Sequence, residues 1–325
     1  MKVLMIVQTF SHISGGRYSL YTIARELAKV VDEFHLLVNT IPNYPNINEN
    51  DVTFIKNTNE KYDLVIGTRS KGIENLEKYK KDNGKIMMYL FETPLEVYGN
   101  YKYDSFWEVT KKVCLKSDVV LCNSIPTMLN VKRWIDHKNI EHIPPAIETE
   151  IAKKTTPKQK KYGCIMIGNL AQERKNLKDG VIATKTANEV LKIIYVVGKD
   201  RIKKIVEKCY KNYEMYYAVS EKEKWRMIKE SKALLCPSYF EGFGMPPAEA
   251  MYCNINAFTY NIPPMKYNYY FNPYRAKCFD IREYAFMVAK NIDKKCNLKS
   301  YIEAFYSIKA LRRRLKRICE KYCSQ

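Results

Sequence analysis

Residues 236–251 read CPSYFEGFGMPPAEAM. The apolar residues 233–236 lead into them as a strand. Gly242 and Gly244 sit in the loop that follows, and a helix is expected to begin at 247. Glycine permits φ > 0 and a close approach of backbone to ligand. Proline fits a helix start, where its missing N–H costs nothing, so Pro246 and Pro247 mark that start. Free amides there, backed by the helix dipole, make an anion site. Glu241 falls in the loop and Glu249 in the first helical turn. With glycines and prolines between them, the two acids cannot share one helix face, yet both can address one crevice at the strand end. Taken alone, Glu249 also fits a helix cap worth about 0.3–1 kcal/mol.

Strand, glycine loop and helix in that order form one βα unit, and similar units run outward on both sides. Toward the N-terminus, strands are expected at 3–7, 34–38, 64–66, 86–91 and 119–122, with helices at 19–31, 106–116 and 127–135. At Pro144 and Pro145 the pattern stops. The polar, basic stretch AIETEIAKKTTPKQKK at 146–161 reads as a linker. The alternation then restarts, with strands at 164–167, 193–197 and 233–236 and helices at 178–190, 201–210 and 221–231. Apolar strand runs separated by amphipathic helices indicate parallel sheets buried on both faces, with right-handed crossovers. The expected fold class is therefore α/β, with two Rossmann-like doubly wound domains facing a central cleft. Their spans are 1–152 and 160–300, with a basic amphipathic helix over 301–325. Ligands of such sheets bind at the carboxyl ends of the strands.

The chain's 325 residues suit about two domains of ~100–200 residues each. A hydrophobic content of 46% excludes disorder. No apolar run nears the ~18 residues of a spanning helix. VLMIVQTF at 3–10 reads as a buried first strand rather than a signal peptide, which predicts a cytoplasmic protein. The formal charge of +20 favours anionic partners: nucleic acid, phospholipid head groups or phosphorylated small molecules. The ten cysteines include no C-x-x-C pair, so zinc is not expected. Most sit among apolar residues and read as buried thiols of a reducing compartment, with cytosolic disulfides as the alternative.

The 236–251 segment resembles the E-x7-E signature of retaining glycosyltransferases with the GT-B fold, family 4, with Glu241 and Glu249 at the two acidic positions. Weaker resemblances follow in order along the chain. QTFSHISGGRYSLYTIARELAKV (8–30) looks like the family's N-terminal glycine loop and first helix, and IEHIPPAIE (140–148) like its Ile-Pro segment. IMIGNLAQERKNL (165–177) is similar to its strand, glycine loop and Lys-Asn pair, YVVGKD (195–200) to its next strand end, and YYAVSEKEKWRMIKESKALLCPS (216–238) to its base-proximal loop and the helix after it.

The resemblance implies roles residue by residue. Glu241 would hold donor-sugar hydroxyls, Glu249 would accept hydrogen bonds from the ribose, and Lys175 would neutralise the diphosphate. The family's usual Arg after the strand-end Gly168 is Asn169 here, and Arg174 is placed to compensate. Gly242, Phe243, Gly244 and Met245 would contact the donor, as would Val219 near the base and Gly15 and Gly16 from the N-terminal loop. The family's frequent Gly after the helix is Asn254, which implies a differently shaped loop.

The implied activity is transfer of a hexose from a UDP- or GDP-linked sugar to an acceptor hydroxyl of a glycan, lipid or protein. The leaving diphosphate would help deprotonate the acceptor on the front face. The sequence offers no D-x-D pair, so Lys and Arg are expected in place of a metal, and no other cofactor is implied. Charge develops on the leaving oxygen, and preorganised cations stabilise it best in a water-poor site.

Other residues carry alternatives. His12 fits either a general base or a surface side chain, and Glu92 either a cleft residue or a strand cap. The five rings of YNYYFNPY (267–274) fit an acceptor lining, a lipid surface or a packed loop. The basic helix near the C-terminus fits docking on the fold or binding to an anionic membrane surface. The competing function is a non-catalytic phosphate- or nucleic-acid-binding protein, or an enzyme that glycosylates DNA. Nucleic acid is disfavoured as a partner because no helix-turn-helix or RNP-like pattern occurs and the charge is spread over both domains.

Overall fold

A computed structural model describes residues 1–7, 15–40, 47–68, 73–94 and 105–323. It divides into two units: Met1–Ala146 with the chain from Ile308 onward, and Ile147–Ser307.

The first unit is built on seven strands: β1 (Lys2–Ile6), β2 (Glu33–Leu37), β3 (Thr53–Ile55), β4 (Tyr62–Thr68), β5 (Lys80–Leu90), β6 (Val119–Cys122) and β7 (Ile140–His142). They lie in the order β3-β2-β1-β4-β5-β6-β7, and every pair is parallel. Successive side chains of a strand face opposite ways, and β1 shows the consequence. Val3 and Met5 pack into one core with Leu36, Leu64 and Ile66, while Leu4 and Ile6 join Val65, Met88 and Trp107 on the other face. Both faces are covered, so the strand reads as an uninterrupted apolar run. Each such side chain contributes about 1.5–3 kcal/mol on full burial.

The second unit contains β8 (Cys164–Gly168), β9 (Leu191–Tyr195), β10 (Tyr213–Tyr217), β11 (Ala233–Cys236), β12 (Asn256–Tyr260) and β13 (Arg275–Ala276). Their order is β10-β9-β8-β11-β12-β13, again parallel throughout. The sequence pattern missed β10, β12 and β13. β10 and β13 are the two edge strands; β10 is only half-buried and carries Glu214, and β13 has two residues. β12 is fully buried but includes Asn256 and Thr259 among its five residues, which breaks the apolar run.

The boundaries differ from 152, 160 and 301. The 146–161 stretch is not a free linker. Its Thr149–Lys154 helix belongs to the second unit, where Lys229 Nζ donates to the carbonyls of Ala152 and Thr155 at 2.6 Å each. Glu230 accepts from the Lys158 amide at 2.7 Å and from Gln159 at 3.1 Å.

Residues 301–325 are not one helix either. Ser307 leaves helical geometry with ψ 161° and forms a parallel bridge with Ile147. The Lys299–Tyr306 helix therefore stays with the second unit, and the Ile308–Cys323 helix returns to the first. There Leu311, Leu315, Ile318 and Cys319 enter the core beside the Gly15–Leu27 helix. Arg312 reaches the fully buried Glu26 at 2.7 Å, while Lys316 and Arg317 stay exposed. The helix therefore docks on the first unit through its apolar face.

All ten cysteines are free. Burial pushes the Cys114 and Cys164 thiols up to about 12, so they stay protonated. Among the described residues, no helix is long and apolar enough to cross a membrane.

Candidate active site

Because β8 to β13 are parallel, their carboxyl ends share one edge of the second unit's sheet, where ligands of such sheets sit. At the end of β8, Gly168 has φ +132°, a conformation that side chains rarely adopt. A Cβ built there would lie 3.9 Å from Lys175 Nζ, so the lysine lies alongside the strand end. The short turn Glu173–Lys175, closed by Asn176 at φ 49°, carries two adjacent cations to this edge.

Both cations meet the acid of the β11 loop. Lys175 Nζ donates to Glu241 Oε1 at 2.5 Å, and Arg174 Nη1 lies 3.4 Å from Glu241 Oε2. Arg174 also donates to the Phe240 carbonyl at 2.9 Å. Glu241 is 7% exposed. Burial works to raise its carboxyl, but Lys175, Arg174 and the Ser238 hydroxyl outweigh it and hold the group below the usual range. Two guanidinium or ammonium charges against one carboxylate leave a surplus of one positive charge. Arg174 is thus already committed to this loop. Asn169 brings a buried Oδ1 with no hydrogen-bond partner among the described residues, an acceptor open to a ligand donor.

Glu249 has the opposite surroundings. The helix starts at Met245, not at 247, so Glu249 lies in its second turn rather than its first. The cause is Gly244: with φ +90° it serves as the N-cap, and a Cβ there would collide with Met265. Gly242, unlike Gly244, stays out of the left-handed region. The cap reading of Glu249 falls with this shift. Its carboxylate pairs with Lys224 at 2.7 Å, and Lys224 also pairs with Glu221 at 2.8 Å. Burial pushes the Glu249 carboxyl up, Lys224 pulls it down, and Glu221 adds to the rise. Among the described contacts, the two acids meet different cations: Glu241 has the pair Arg174 and Lys175, and Glu249 has Lys224.

Phe243 was expected to contact the donor, but its ring is core, with centroids 5.1 Å from Tyr306 and 5.7 Å from Tyr269. Sequence reasoning missed Tyr269, whose hydroxyl donates to the Gly244 carbonyl at 2.7 Å and so props the loop. It is buried, whereas Tyr267, Tyr270 and Phe271 of the same aromatic stretch are exposed. The stretch is part packed loop and part surface. Met245 is half-buried at the helix start. Val219 is half-buried beyond β10, just before Ser220, whose hydroxyl caps the Glu221–Lys229 helix. Asn254 takes φ 55°, the left-handed geometry a glycine would supply, so the loop keeps that shape.

Gly15 and Gly16 belong to the first unit and form the opening turn of the Gly15–Leu27 helix rather than a loop. Glu92 is half-buried after β5, and His12 lies outside the described residues. Glu33, His35 and Glu60 could group around a metal ion. The ammonium of Lys2 already sits there, 2.8 Å from Glu33 and 3.0 Å from Glu60. That cluster is at the amino-terminal edge of its sheet, away from the ligand edge.

Residues 126–268 match the family described as glycosyl transferases group 1. No curated protein matches the sequence. Among solved structures, the chain is similar to a sucrose-phosphate synthase from Thermosynechococcus elongatus, with a TM-score of 0.81 and 12% identity over 99% of both chains. It is also similar to HepE from Anabaena in complex with UDP and glucose, at 0.79 and 12% over 99% of this chain and 100% of that one. A glycosyltransferase from Rickettsia africae follows at 0.75 and 14%, over 99% and 98%.

Proposed function

We propose that this chain is a GT-B glycosyltransferase of group 1 and that it moves a hexose, with retention and without a metal, from a UDP- or GDP-sugar to an acceptor hydroxyl. The observation that carries this reading is Glu241, buried and ionised between Lys175 and Arg174. A carboxylate held in one orientation by two cations is a rigid acceptor for sugar hydroxyls. The surplus positive charge beside it suits a diphosphate. In the reaction, the bond from C1 of the sugar to the diphosphate oxygen breaks and a bond to the acceptor oxygen forms on the same face. The acceptor proton passes to the leaving phosphate oxygen. Lys175 and Arg174 stabilise the charge that develops there. Asn169 offers its unpaired oxygen to a donor hydroxyl, and Glu249 accepts from the ribose.

UDP is the first nucleotide to test, because HepE is known in complex with UDP-glucose. The test is nucleotide release from UDP-, GDP- and ADP-sugars, with EDTA present and absent, by the wild type, Glu241→Ala and Lys175→Ala. Release that survives EDTA and is lost in both variants supports the reading. Absence of any turnover, with tight salt-sensitive DNA binding, supports the nucleic-acid alternative. The exposed basic face of the Ile308–Cys323 helix supports a cytoplasmic protein held peripherally on an anionic membrane. Sedimentation with phosphatidylserine vesicles, lost in high salt, tests that part.

A further inference from the structure

Five non-glycine residues among those described have positive φ, and three are Asn, which tolerates it. The other two are Ala218 (φ 43°) and Phe279 (φ 66°), and both follow carboxyl ends of strands in the second unit. A bulky residue in that region is an outlier that persists only when its surroundings over-determine it. The backbone around Phe279 is held in that way. The Asp280 amide donates to the Lys277 carbonyl at 3.0 Å. The Lys277 amide donates to Glu283 at 2.8 Å, and the Glu283 amide to Asp280 at 2.9 Å.

This constraint exposes an aromatic ring. Phe279 is 68% exposed, and its centroid lies 5.2 Å from that of Tyr239, with the planes tilted by 36°. Tyr239 is two residues before Glu241, and its amide donates to the Arg174 carbonyl at 3.1 Å. The ring pair therefore joins the loop that carries the candidate acid and both cations.

Strand order indicates what the pair faces. From β10 to β13, the carboxyl edge carries Val219, then Gly168 and the Lys175 turn, then Glu241, and finally Phe279. On the proposed reading, base, diphosphate and donor sugar occupy the first three places. The aromatic pair is next, beyond the sugar on the side away from the nucleotide. A ring held there at a backbone cost fits a flat ligand with an apolar face. A pyranose has one, since its C–H groups meet the negative face of an aromatic ring.

We propose that Tyr239 and Phe279 form an aromatic platform that binds a pyranose ring of the acceptor. This rests on the proposed donor site, and the test separates the two. Saturation-transfer NMR on the full chain, with UDP present, uses methyl α-glucoside, methyl β-galactoside and maltotriose as probes, and calorimetry follows UDP alone. The expected result is transfer to at least one sugar in the wild type and an affinity roughly tenfold weaker in Phe279→Ala. Phe279→Trp keeps the affinity, and UDP affinity is the same in all variants. Phe279→Gly, which relieves the strained φ, loses the sugar without lowering Tm, a combination that a merely structural ring would not give. No transfer to any probe, or equal transfer in Phe279→Ala, overturns the platform. If sugars bind in a Phe279-dependent way while UDP does not, the platform stands and the donor reading falls.

Discussion

Lys175 Nζ and Glu241 Oε1 lie 2.5 Å apart, with side-chain exposures of 13% and 9%. Desolvated charges attract strongly, but each depends on the other, because removing one partner strands a buried ion. The pair therefore makes the site costly to disturb.

Lys175→Ala leaves Glu241 buried with the longer Arg174 contact as its remaining cation, beside the Ser238 hydroxyl. The expected loss is about 3–5 kcal/mol of stability, together with ~10²–10³ in nucleotide release. Urea unfolding and the release assay measure the two losses. Glu241→Gln removes the charge but keeps the shape, so it is expected to unfold less easily than Lys175→Ala. The reverse order would refute the buried-pair account.

Acid stability should fall in two steps. Burial first, then the charge of Arg314, hold the His142 imidazole down to about 4 against an ordinary 6.5. The unfolded chain binds the extra proton between those values. The contribution is therefore full above pH 6.5 and lost as pH falls toward 4, at most about 3 kcal/mol. Glu241 is depressed below its ordinary 4.5, so its contribution is present above that value and lost only at lower pH. His142→Gln should flatten the first step alone and Glu241→Gln the second. Unfolding midpoints from pH 3 to 8 test both, and coincident effects would contradict the assignment.

Gly244→Ala forces a side chain into φ +90° and against Met265. The cost is about 1–3 kcal/mol, with the Glu249 helix start displaced and nucleotide affinity reduced. Gly242→Ala, outside the left-handed region, serves as the comparison and should lose less stability.

Leu315→Ala tests the docking of the last helix. Leu315 is 2% exposed in the first unit's core, so truncation should cost about 2–5 kcal/mol. Lys316→Ala, on the exposed face, should change thermal stability little but weaken vesicle binding. An unstable Lys316→Ala would show that the face is not merely solvated.

Several features were legible without coordinates. β1, β6, β8 and β11 are short runs buried on both faces, and their composition shows it. Gly244 stands where left-handed geometry is needed. Other features were not. Ser307 has no breaker signal, and it leaves the helix because its backbone bridges Ile147, 160 residues earlier in the chain. Tyr269 looks like its exposed neighbours Tyr267 and Tyr270 in a list of aromatics, and only packing against Phe243 distinguishes it. The strain at Phe279 arises from hydrogen bonds around it rather than from the residue's own preference.

The amino-acid order by itself determined the βα alternation and the glycine-bearing loop-to-helix segment that holds two acids, because periodicity and turn chemistry are settled within a few residues. Tertiary structure alone decided which cation each acid meets. Glu241 finds Lys175 from 66 residues away, and Glu249 finds Lys224 from 25. Those meetings depend on the β8-β11 adjacency and on helix packing, which no local window contains.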